Sequence, residues 1–182
     1  MREQPFFWAH GDSKENLLFC MHGIGSCADA FLPQRALASA LGCTVVAWDA
    51  PGYRYSADPA HEIGIDGWAD AAAELIASLG YDRTWVLGVS WGGVTATRLA
   101  LRTPSAVDAL ILADSSVGSG TNAAQAQAMR GRAESLSEMG AEEFARQRAP
   151  LLIAEGASKE ILSEVEHLFA DSVRMPSYQW AC

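Results

Sequence analysis

The chain has 182 residues, 49% of them hydrophobic and 19% charged, and a formal net charge of -9. That length suits one domain with a sizeable core, and the composition excludes a disordered chain. The negative balance argues against nucleic acid or an anionic membrane as partner, because both would repel it.

No apolar run approaches the roughly 20 residues that span a bilayer. The N-terminal stretch MREQPFFWAHGD has neither the apolar core nor the small-residue cleavage site of a signal peptide. The four cysteines, Cys20, Cys27, Cys43 and Cys182, show no CxxC spacing and no histidine pairing. They read as free thiols in a reducing, cytoplasmic setting, with no metal site and no disulfide framework.

An early strand is expected over Phe6 to His10, with a turn near Gly11 and Asp12. Four continuous apolar runs follow: LLFCM (17–21), TVVAW (44–48), TWVLGV (84–89) and VDALILA (107–113). Each stops at turn residues. Runs of this length suit strands buried on both faces, as in a parallel sheet. Helical patterns separate them. Leu32 to Leu41 reads as a helix closed by Gly42. Trp68, Ala72, Leu75, Ile76 and Leu79 share one face of a helix closed by Gly80. Val94, Thr97, Leu99 and Leu101 belong to another, stopped near Pro104.

Strand and helix in alternation predict an α/β fold with a doubly wound, mostly parallel sheet. Ligands of such sheets bind beyond the carboxyl ends of the strands, where the turns HGIGS, DAPG and SWGG fall. The expected divisions are a core over 1–119, a helical cap over 120–175, and the start of a further helix over 176–182. Within the second part, Ala123 to Met139 reads as helical but interrupted by Gly131, and Glu142 to Arg148 as a short helix. Ser158 caps a helix whose apolar stripe is Ile161, Leu162, Val165, Leu168 and Phe169.

Gly88-Val89-Ser90-Trp91-Gly92 matches G-x-S-x-G, and it lies between a strand and a helix as that motif requires. The reason is steric. A serine on a strained turn is crossed closely by chain on both sides, and glycines at 88 and 92 remove the side chains that would collide. Its oxygen then stands over the sheet edge, near the free N–H groups that open the next helix. A carbonyl attacked there develops a negative oxygen, which needs donors already in place. The N–H groups of Trp91 and of Ile24, in the His22-Gly23-Ile24-Gly25 loop, are the candidates.

At this point the chain resembles the α/β-hydrolase superfamily, in particular its cap-bearing esterase, enol-lactonase and C–C hydrolase branch. "HGIG" (22–25), "DAPGYRYS" (49–56) and "GVSWGG" (88–93) carry the resemblance, over roughly residues 5 to 120. It implies Ser90 as nucleophile, Ile24 and Trp91 as oxyanion donors, and no cofactor. One departure is local: Arg54 stands where the family usually has a small residue, often glycine, and either distorts that turn or comes near the pocket rim.

A serine hydroxyl needs a base. In the family the base is a histidine after the last core strand, with the acid usually one strand earlier, and both follow the cap. This chain ends in PSYQWAC, before those elements, so the last core strands are expected to be missing. His10, His22, His61 and His167 do not match the family base; His22 reads as structural and His167 as part of a solvated helix face. Asp114, after VDALILA, is a minority candidate for the acid, with loop capping as its commoner role. Asp49 reads as bonding the Pro-Gly turn.

Two functional readings remain. One is a serine hydrolase of carboxylic esters or lactones, with a small-molecule substrate and an incomplete triad. The other is an inactive, truncated hydrolase-like domain that binds a small apolar ligand or forms a homo-oligomer through an exposed sheet edge. A perhydrolase or acyltransferase keeps the same serine and stays open. A dehalogenase-like or epoxide-opening enzyme is disfavoured, since it would place aspartate at position 90.

Overall fold

The computed structural model describes residues 4–118, 120 and 122–182. Its sheet has five strands: β1 (Phe7–His10), β2 (Asn16–Met21), β3 (Thr44–Trp48), β4 (Arg83–Val89) and β5 (Ala109–Ala113). The order is β1-β3-β2-β4-β5. β1 runs antiparallel to β3, and the other pairings are parallel. The register places Met21 beside Gly88 and Val89 beside Ala113. The three chain reversals that carry the sequence motifs therefore meet at one edge of the sheet.

Strand period builds the two faces. Leu17, Phe19 and Met21 point into one cluster with Val46, Trp48 and Val86. Leu18 and Cys20 point into the other, with Val45, Ala47 and Phe31. The first face is covered by α2 (Gly64–Leu79) and α3 (Trp91–Arg102), through Trp68, Ala72, Leu75 and Leu99. Each fully buried side chain of this size contributes about 1.5–3 kcal/mol. α2 ends at Gly80 in the left-handed conformation, φ 70°, as the sequence predicts.

Three expectations are corrected. Leu32 to Leu41 is not one α-helix. Pro33 lacks an N–H, so the chain forms a 3₁₀ segment over Ala28–Ala36, and α1 covers only Leu37–Leu41 before Gly42. Gly131 does not interrupt its helix. α4 runs Ala123–Arg148, and the break lies at Gly140, whose φ of 78° and ψ of 166° are non-helical. Finally, β5 is not buried on both faces. It ends the sheet, so Ile111 and Leu112 remain 47% and 49% exposed.

Beyond β5 come α4, α5 (Lys159–Ser172) and α6 (Ser177–Ala181). They share a small core of Leu136, Phe144, Ala145, Phe169, Val173 and Tyr178. Ser158 caps α5 by accepting a hydrogen bond from the Ile161 N–H at 3.3 Å. This layer lies directly against the sheet edge: a Cβ added at Gly25 would collide with the Phe169 ring. Arg54 ties the same parts together. Its guanidinium pairs with Asp29 at 2.5 Å and with Asp171 of α5 at 2.6 Å, with the side chain only 10% exposed.

Candidate active site

Ser90 joins β4 to α3 with φ 54° and ψ -120°, a region that costs a non-glycine residue of order 1–3 kcal/mol. Hydrogen bonds hold the turn on both sides. The Ser90 N–H donates to Ala113 O at 3.0 Å, and Ser90 O accepts from Gly93 N–H at 2.9 Å and Val94 N–H at 3.2 Å. The Ser115 hydroxyl donates to the same carbonyl at 3.1 Å. The serine itself is exposed.

The surrounding glycines are required by contact. A Cβ at Gly88 would lie 2.5 Å from Gly93 Cα, and one at Gly92 would lie 2.5 Å from the His22 carbonyl oxygen. One at Gly93 would come within 2.6 Å of Ser115 Cβ. The 22–25 loop faces the elbow, since a Cβ on Gly23 would sit 3.6 Å from Ser90 Cβ. Ile24, Ser90 and Trp91 line one cavity of about 270 Å³. Among the described residues no hydrogen bond uses the backbone N–H of Ile24 or Trp91.

His22 is buried and fixed. Its Nε2 accepts from the Ala50 N–H at 3.0 Å, so the proton sits on Nδ1, which donates to Gly23 O at 2.8 Å. Burial pushes its pKa down to about 4, so the ring is neutral at pH 7. Asp49 does not bond the Pro-Gly turn as expected, since Pro51 lacks an N–H and the Gly52 N–H donates to Ala57 O; it joins two loops instead. It accepts from the Ala28 N–H at 2.8 Å and the Tyr55 N–H at 3.2 Å. Burial raises its pKa, and these hydrogen bonds act against the rise. The Trp91 ring serves both as cavity wall and as core. It meets Trp68 edge-on at 4.9 Å and Tyr53 at 5.5 Å.

The remaining candidates lie elsewhere. His10 and His167 are exposed on β1 and α5. His61 lines a separate cavity of about 520 Å³ beside α2, larger than the one at Ser90 but without the elbow. Asp114 follows β5 in a left-handed conformation, φ 47°, exposed and outside the residues that line the Ser90 cavity. Arg54 likewise lies outside that lining. Sequence reasoning missed Ser115 and Arg132. The first carries no motif, and the second is one arginine in a polar helix that happens to face the cavity. Among the described residues no cluster of metal-ligating side chains occurs and all four cysteines are free.

A parallel sheet with a strained serine at the strand-to-helix reversal defines a hydrolase-type α/β architecture. The chain belongs to the alpha/beta hydrolase fold family, whose model matches residues 16–176. It is 36% identical over 74 residues to a poly(3-hydroxyalkanoate) depolymerase from Ectopseudomonas oleovorans, covering 41% of this chain and 26% of that protein. It is 30% identical over 105 residues to the serine hydrolase BPHL of Mus musculus, covering 56% and 36%. The matched segments thus span about a quarter to a third of those relatives. Among solved structures, a thermophilic esterase from Thermogutta terrifontis superposes with a TM-score of 0.82 at 21% identity, covering 97% of this chain and 64% of that one. A hydrolase from Pseudomonas aeruginosa PA01 gives 0.80 at 22%, covering 96% and 66%. At these identities the structural likeness is one of fold.

Proposed function

We propose that this chain carries the nucleophile and oxyanion part of a serine hydrolase acting on carboxylic esters or lactones through an acyl-enzyme. The supporting observation is Ser90 itself, exposed at φ 54° and ψ -120° in one cavity with Ile24 and Trp91. Ser90 Oγ attacks the substrate carbonyl carbon, and the carbonyl oxygen takes the negative charge. The N–H groups of Ile24 and Trp91 donate to that oxygen. The Ser90 hydroxyl proton passes to the leaving alkoxide as the ester bond breaks, and water then cleaves the acyl-serine to the free acid, restoring the Ser90 hydroxyl. The reading needs no cofactor. Its base lies outside the four histidines of this chain, none of which lines the cavity. Asp114 stays the acid candidate of lower rank. Residues 1–119 serve as core and 120–175 as the cap that sets substrate size. Four free thiols, three of them buried, suit a reducing, cytoplasmic setting.

The test is labelling of the purified chain with a fluorophosphonate probe. Wild type is expected to label slowly at Ser90, since the strained hydroxyl and the oxyanion donors remain without a histidine base, and Ser90→Ala to lose the label. Equal labelling of both proteins would end the reading.

A second reading concerns assembly. The outer edge of β5 has no neighbouring strand among the described residues, and Ile111 and Leu112 are half exposed there. A second copy of this chain is the proposed partner, since an open strand edge is a template for pairing.

A further inference from the structure

Arg132 of α4 reaches the same cavity as Ser90, and it is the one charged side chain among the described residues that line it. The rest of the lining is largely apolar, including Ile24, Ile65, Val94 and Met129. Arg132 is half-buried, yet no ion pair or hydrogen bond among the described residues engages its guanidinium. Its electrostatic neighbours include the Tyr178 hydroxyl, the Cys182 thiol and a second guanidinium, Arg148. Burial pushes the Cys182 thiol up to about 11, so it is uncharged at pH 7. Arg148 also makes no ion pair among the described residues, and both burial and Arg132 lower its pKa. One cation without an ion pair among the described residues thus lines the cavity of the candidate nucleophile, with a second guanidinium in its electrostatic range, in a chain whose net charge is -9. Half-buried cations in an apolar wall are stabilised by an anion, and a guanidinium offers the forked donors that suit a carboxylate.

We propose that Arg132 selects substrates carrying a free carboxylate beside the scissile ester, such as half-esters of small dicarboxylic acids. This rests on the serine-hydrolase reading for the reaction, but not for the binding. The cavity of about 270 Å³ suits a short acyl chain. The carboxylate pairs with Arg132 while the ester carbonyl lies at Ser90.

The experiment is calorimetric titration of the Ser90→Ala chain, which blocks turnover, with monoethyl glutarate and with diethyl glutarate. The monoanion is expected to bind at least about tenfold more tightly than the neutral diester, the worth of one charge-assisted hydrogen bond. Adding Arg132→Gln should abolish the preference, and Arg132→Lys should keep part of it. Cooperative unfolding and near-ultraviolet circular dichroism verify each fold. Equal affinity for the two esters without any change at Arg132 overturns the inference, and so does an undiminished preference in a folded Arg132→Gln protein. Fluorophosphonate labelling of the parent chain is read separately. Labelling with no anion preference overturns the carboxylate site alone. Anion preference without labelling supports the site and removes the hydrolase reading.

Discussion

Ser90 and His22 solve one local problem from opposite sides. The serine is held in a costly backbone conformation and left exposed, whereas the histidine is buried and spends both ring nitrogens on backbone groups. Because the His22 pKa falls to about 4 in the fold, it carries a pH signature. Above its unfolded value, about 6.5, the ring is neutral in both states. As pH falls from there to about 4, the unfolded chain takes up a proton that the folded chain refuses. Stability is therefore lost across that window, by up to about 3 kcal/mol, and the loss ends once the folded ring also protonates. Urea unfolding at about pH 7 and about pH 5 should show wild type losing more stability than His22→Asn; equal losses would refute the assignment. The serine's place was legible in the sequence because a strand, two glycines and a helix start all lie within a few residues of it. The neutral state of His22 was not, since it depends on burial by distant segments, which also bring the Ala50 N–H to its ring.

Among the elements, α5 shows how a single side chain can tie two layers together. Arg54 stands at φ 39°, where the resemblance leads one to expect a small residue, and its guanidinium spans Asp29 of the core and Asp171 of α5. Arg174 repeats the connection a turn later, pairing with Asp58 at 3.1 Å. Removing one charge should loosen the helix without unfolding the sheet, because the sheet's own core is independent of it. In Asp171→Asn, amide hydrogen exchange over Lys159–Ser172 should quicken severalfold while β4 amides keep their protection. Unchanged exchange in α5 would show that Phe169 packing alone holds it. The sequence displayed Arg54 as a departure from pattern, yet left its purpose open. The answer lay 117 positions along the chain, at Asp171, beyond the reach of any local spacing.

At the scale of the molecule the sheet is asymmetric. One flank ends at the short antiparallel β1, and the other at the parallel β5 with its apolar side chains half exposed. If two copies pair through that flank, sedimentation should show a mass that rises with concentration, and Ile111→Lys should return the chain to a monomer, since a charged edge opposes strand pairing. A wild type that sediments as a monomer at every concentration would remove this mode of assembly. Among the described residues no helix is long and apolar enough to cross a membrane.

By itself the sequence determined the alternation of strand and helix, the positions of most strands, and the serine at the reversal after β4. These follow from short-range causes: side-chain period, proline and glycine geometry, and the crowding around one turn. The tertiary structure alone decided which backbone carbonyls press on Gly92, that Gly140 and not Gly131 breaks α4, and that VDALILA faces solvent on the outer flank. It also decided that Arg132 and Ser90 share a cavity although 42 positions separate them. Periodicity says which residues share a face, but only the packing of distant segments says what that face meets.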